Sequence, residues 1–230
     1  MFARFILPFF CAACVTLPLS GIADEGSTEL FIDSDMLQLH DPSSRTFRAW
    51  QRNSNSAIAI AAENSAEALS LSQPDRKLQR TAHFAIVNGA GLWVNHAFSL
   101  TAHDLGHMER AKSIGAKDVR LIRSDSGREI SVYRFFMESF ISALPALYTY
   151  EISHLSPEDK AAVAGQGLNV NLQIAAAEAD AINTGKGTLT SFAPYLMNKS
   201  WGLSYFLALN SPTSDATSYI EAHKEQGHAS

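Results

Sequence analysis

The stretch Phe98–Lys117, FSLTAHDLGHMERAKSIGAK, decides how the rest of the chain is read. It sets His103 and His107 four residues apart, with Asp104 beside the first. At about 100° per residue, a helix over Leu92–Ser113 brings both imidazoles to one face, together with His96 one heptad earlier. Two such histidines can hold one Zn²⁺ through their ring nitrogens, and a carboxylate next to the first can polarise a metal-bound water. A packed helix with two core histidines satisfied by backbone carbonyls would show the same pair.

Outward from this stretch, the helix is expected to begin near Asp75 or Arg80, with Gly89 and Gly91 bending or splitting it. Its portion from Phe84 to Leu105 is apolar, interrupted by Asn88, Asn95, His96 and His103. That pattern fits a buried core helix or a functional membrane helix, whose polar groups face a bundle interior. After Gly115, two β-prone runs, Val119–Ile122 and Ile130–Tyr133, flank the turn former SDSG and predict a hairpin. The run FFMESFISALPALYTY predicts a helix kinked or ended near Pro145. Ser156 is the expected N-cap of a helix with Pro157 in its first turn. LNVNLQIAAAEADAINTGKG is a further helix closed by Gly185, and APYLMNKSWGLSYFLAL an apolar one whose Asn198 and Lys199 argue against a free-standing lipid-facing span. TSDATSYIEAHKEQG reads as a polar surface helix.

Upstream, Ala57–Leu71 has helix-forming composition ended by Gln73 and Pro74. Residues 24–56, with the breakers HDPSSR and RNSNS, read as a polar leader. Residues 1–23 hold an apolar run from Phe5 to Leu19 followed by Gly21 and Ala23, which is a secretory signal pattern or an N-terminal anchor. Cys11 and Cys14 both lie in this run, so a chain cleaved after Ala23 carries no cysteine. The expectation is a mainly α protein: a membrane-associated helical bundle with one β-hairpin after the histidine helix, residues 57–230 forming a single metallohydrolase-like domain. Its expected location is outside the cytoplasm, in a bacterial inner membrane or periplasm.

Charge narrows the partners. Eighteen Lys and Arg against 23 Asp and Glu give a net charge of −5, and the basic residues form no aromatic-interleaved stripe, which argues against nucleic acid. There is no Gly-rich phosphate loop and no G-x-S-x-G elbow.

HDLGHMERAKSIGAK resembles the HELGH helix of zinc peptidases, in which a Gly before the second His, then an Ala and a Gly after it, allow close packing; here these are Gly106, Ala111 and Gly115. The hairpin after Gly115 is similar to that of the site-two and prenyl-protease-like membrane zinc peptidases. The resemblance implies that His103 and His107 bind Zn²⁺, that Asp104 is the catalytic base in place of the family's Glu, and that a protein or peptide is the substrate. EADAI resembles the EAD helix of the prenyl-protease-like group, which implies Glu178 as third ligand and Asp180 as its support. His96 competes for the third position, as does Asp215 in NSPTSDATSY, by likeness to the Asp-bearing segment of site-two proteases.

TAHDLGH also resembles the His-Asp pair of HD-domain phosphohydrolases, which implies a metal bound by His83, His103, Asp104 and Asp180. A non-catalytic exported scaffold is the third reading. In it the histidines pack or hold a structural metal.

Overall fold

The computed structural model describes residues 41–123, 125–141, 146–151, 154–185, 187, 190–207, 215–225 and 227. The signal or anchor at 1–23 and most of the expected leader lie outside these residues. The described chain is mainly helical, with a two-stranded antiparallel sheet: α1 Ser44–Ala68, α2 Lys77–Ser113, β1 Lys117–Arg123, α3 Val132–Ser139, β2 Ala146–Glu151, α4 Pro157–Asn183, α5 Phe192–Leu207 and α6 Asp215–Glu225. The central α2 packs against α1, α3, α4, α5 and both strands, while α4 packs against α5 and α6.

α1 begins inside the segment expected to be a leader and runs across the 56/57 boundary. Its start is a reciprocal cap: Ser43 Oγ accepts from Thr46 N at 3.1 Å, and Thr46 Oγ1 accepts from Ser43 N at 3.1 Å. HDPSSR therefore starts a helix instead of breaking one. RNSNS lies inside α1 because its polar side chains are used in the bundle. Gln51 and Asn55 are 1% and 3% exposed. Gln51 Nε2 donates to Asn95 Oδ1 at 2.7 Å, and Asn95 Nδ2 donates to Asn55 Oδ1 at 2.6 Å. These bonds pair Asn55 with Asn95 and use the Gln51 Nε2 donor, while Gln51 Oε1 is left without a donor.

α2 is one uninterrupted helix, and neither Gly89 nor Gly91 splits it. Gly91 is buried against Thr190. From Val94 onward the helix supplies the middle of the core, where Phe98, Ala102, Leu105 and Met108 meet Phe47 of α1, Leu121 of β1, Phe135 of α3, and Val170 and Ile174 of α4. Burying each large apolar side chain of this kind stabilises the fold by about 1.5–3 kcal/mol. The first part of α2 is different: Leu78, Phe84 and Ile86 are 79%, 53% and 71% exposed. Among the described residues no helix is long and apolar enough to cross a membrane.

The sheet follows α2 as expected, but its second strand is not Ile130–Tyr133. Ile130 returns only one backbone bond, to Leu121 O at 3.0 Å, beside an isolated bridge from Glu129 to Ile122. Ser131 then caps α3 by accepting from Arg134 N. The partner of β1 is ALYTYE, the run just after the kink or end expected near Pro145, with Leu121 opposite Tyr148 and Arg120 opposite Thr149. Its β-branched and aromatic residues suit the pleated surface. Downstream, Ser156 caps α4 as expected, by accepting from Asp159 N at 3.1 Å. Gly165 and Gly167 do not end that helix, so two expected segments are one. Gly185, at φ +73°, follows its end.

Candidate metal centre

His103 and His107 lie on successive turns of α2, buried at 2% and 0% exposure. Close approach of α4 makes this possible. A Cβ on Gly106 would stand 2.6 Å from Val170 Cγ2, so glycine is what lets the two helices touch there. Ala111 is fully buried, and Gly115, at φ +82°, turns the chain out of the helix. Gly106 and Ala111 thus have the packing role anticipated for them, whereas Gly115 is exposed and a Cβ there would meet nothing within 4 Å.

The two imidazoles converge with Asp215, the first residue of α6. His103 Nε2 and His107 Nε2 are 3.0 Å apart, and each lies 3.1 Å from Asp215 Oδ2. The three residues form a group able to hold a metal ion. Each ring is oriented from behind. Val163 O can only accept, so His107 Nδ1–H donates to it at 2.6 Å. His103 Nδ1–H donates to Asn171 Oδ1 at 2.8 Å. With both Nδ1 atoms turned away to these acceptors, both Nε2 atoms face the carboxylate oxygen. Three lone pairs at this spacing repel one another unless a proton or a metal ion stands among them.

The remaining neighbours hold this arrangement. Tyr148 of β2 stacks on His107 at 4.3 Å and 15°, and its hydroxyl donates to Asp215 Oδ1 at 3.0 Å, leaving Oδ2 for the imidazoles. Burial, and then the nearby Asp215 charge, push the Tyr148 hydroxyl far above its usual range, so it stays a donor. Trp201 of α5 lies 5.2 Å from His103. Burial alone would raise Asp215, but its interactions with His103 and His107 outweigh this and hold the carboxyl far below the usual range. Asp104, beside His103, is 7% exposed and its Oδ2 has no hydrogen-bond partner. Burial, opposed by His103 and aided by Asp215, pushes its carboxyl up to about 7. Beneath the pair runs Gly167 of α4, where a Cβ would come within 2.5 Å of Nε2 on both rings.

Among the other residues singled out in the sequence, Glu178 sits two turns along α4 from Asn171, about 10 Å down the axis. It accepts a hydrogen bond from Asn55 Nδ2 at 3.4 Å, and Asp215 occupies the place beside the imidazoles foreseen for it. Asp180 is exposed. His96 keeps to the face of His103 but stands one heptad away, with Trp201 at 6.3 Å. His83 pairs with Ser65 at 2.8 Å. As His83 and His103 share one continuous helix, they are about 30 Å apart, so the four residues of the phosphohydrolase pattern do not meet.

Glu178 has its own signature. Burial raises its carboxyl, against hydrogen bonds from Ser191 and Asn55 and the charge of Arg52. The folded chain then binds this proton more tightly than the unfolded one. Its effect on stability is level below the ordinary glutamate value of about 4.3, falls as pH rises through the folded value, and is level above it. Glu178→Gln should remove this slope from the urea midpoint measured between pH 4 and 8, with metal content unchanged.

The sequence signal for Asp215 was weak, because it lies more than a hundred residues from His107 and only the fold brings it back. Tyr148 and Gly167 carried no signal at all. Comparison with protein-family models, with curated proteins and with solved structures finds no match to this chain.

Proposed function

We propose that the chain is an exported or membrane-associated zinc peptidase-like hydrolase, in which His103, His107 and Asp215 hold Zn²⁺ and Asp104 is the base. The observation that carries this reading is the convergence of two oriented imidazole nitrogens and one carboxylate oxygen at 3.0–3.1 Å. Three ligand atoms about 2.0–2.1 Å from one tetrahedral zinc stand roughly 3.3 Å apart, so a few tenths of an ångström of expansion admits the ion. Three protein ligands leave a fourth position, as catalytic rather than structural zinc sites do.

Bound zinc would supply the Lewis acidity that activates water for attack on a peptide carbonyl. The chain's own groups do the rest. Val163 and Asn171 keep the imidazoles aimed, Tyr148 holds Asp215, and the unpartnered Asp104 Oδ2 receives the proton of the attacking water. The N-terminal apolar run supports export, and the close match of HDLGH to the HELGH pattern supports peptide hydrolysis.

The test is zinc content and turnover of a fluorogenic casein on untagged protein. Wild type should carry about one zinc and cleave, and Asp104→Asn should keep the zinc while losing about 10²–10⁴ in rate. Wild-type rates in Asp104→Asn would remove Asp104 as the base, and zinc without turnover would leave a structural ion. Tyr148→Phe keeps the stack on His107 but loses the bond to Asp215. It should weaken zinc binding by about 10–100-fold in a competition assay with a chromogenic chelator.

A further inference from the structure

A second polar site lies apart from the histidines. α1 and α4 enclose a cleft of about 210 Å³, lined by Arg45, Arg48, Gln51 and Arg52 from one side and by Gln173 and Glu178 from the other. The three arginines fall at i, i+3 and i+7 and share one face of α1. Arg48 donates Nη1–H to the neutral Gln173 Oε1 at 2.6 Å, while its Nε is buried without a partner. Gln51 is 1% exposed and lines the same cleft. Its Nε2 is committed to Asn95 and Ser99, and its Oε1 is left with no donor. Burial and then the charge of Arg45 lower the pKa of Arg48, with Glu109 opposing, so the guanidinium stands in a net positive, partly desolvated field.

Arg48 Nε and Gln51 Oε1 belong to residues that line one cleft, and an unpaired buried donor or acceptor costs stability unless a partner meets it. We propose that this cleft binds a small oxyanion, carboxylate or phosphate, that also carries an N–H or O–H donor. The planar fork of Arg48 takes the oxyanion, and Gln51 Oε1 takes the donor. A terminal carboxylate with its own amide N–H meets both needs, and so does a singly protonated phosphate. The proposal does not depend on the zinc reading, because neither Arg48 nor Gln51 touches the histidine group.

Two probes separate the sources: N-acetylglycine for the carboxylate and inorganic phosphate for the phosphate, each titrated into the full chain at ionic strength matched with sodium chloride. The melting temperature should rise along a saturable curve with at least one probe, and calorimetry should give one site per chain. Arg48→Gln should weaken that binding about 10-fold or more, as expected when a charge-assisted hydrogen bond is removed. Ala177→Phe fills the cleft from its exposed α4 wall without touching the core, and should abolish binding even if Arg48→Gln folds poorly. A response no greater than that to sodium chloride, or one that persists in both variants, overturns the proposal.

Discussion

Gly167→Ala should empty the metal centre. The added methyl would stand within 2.5 Å of Nε2 on both His103 and His107, in the space that an ion reaching both rings must occupy. In an ordinary exposed helix this substitution stabilises by about 0.5–1 kcal/mol, because glycine loses more backbone entropy on folding. Here the methyl must displace rings fixed by Val163 and Asn171, an overpacking cost of about 1–3 kcal/mol. Zinc affinity should fall by more than about 100-fold, beyond the loss typical of changes behind the ligands. Gly89→Ala is the matched control, since its Cβ would meet nothing within 4 Å. It should leave the zinc in place and raise the melting temperature slightly. Full zinc occupancy in Gly167→Ala, by mass spectrometry, would mean that the ion does not sit between the imidazoles.

The ligand set gives the second large effect. His103→Ala, His107→Ala and Asp215→Ala should each reduce zinc from about one per chain to a trace after dialysis, whereas Glu178→Gln, His96→Ala and Asp180→Asn should retain it. The contrast between Asp215 and Glu178 is the decisive part, because they are the two candidates for the third place. Retention in Asp215→Ala with loss in Glu178→Gln would reverse the assignment. The single substitutions also separate an ion from a proton held by the same group, since only the ion is counted by mass.

The helices of the core were readable where their signals were local. Ser156 before Pro157 starts α4, Gly185 follows its end, and the four-residue spacing of His103 and His107 puts both on one face of α2. The misreadings share one physical cause, which is tertiary use of a locally ambiguous segment. RNSNS has loop composition, yet its Asn55 and the Gln51 just before it are the polar lining of α1 and find their partners on α2. ALYTYE adjoins a helical run, yet pairing with β1 makes it a strand, and that strand delivers Tyr148 to His107. Gly165 and Gly167 resemble a helix end, yet α4 continues through them, and the missing Cβ at the second leaves the imidazoles their room. Asp215 illustrates the limit most clearly: nothing local distinguishes it from Asp180, and only the return of α6 onto α4 carries it to the histidines.

The contact between Asp215 and the two imidazoles joins positions 108 and 112 residues apart. Apart from Cys11 and Cys14 the sequence has no cysteine, so no disulfide can fasten the last helix to the second. An ion shared by those residues would act as a removable clasp on a loop of that size, and closing such a loop with a covalent link restricts the unfolded chain by about 4–5 kcal/mol in the chain-entropy view. Folding of α6 and completion of the chemistry would then be one event. A nascent chain that has not yet reached position 215 would hold two histidines with no carboxylate to close on, until the first turn of α6 arrives.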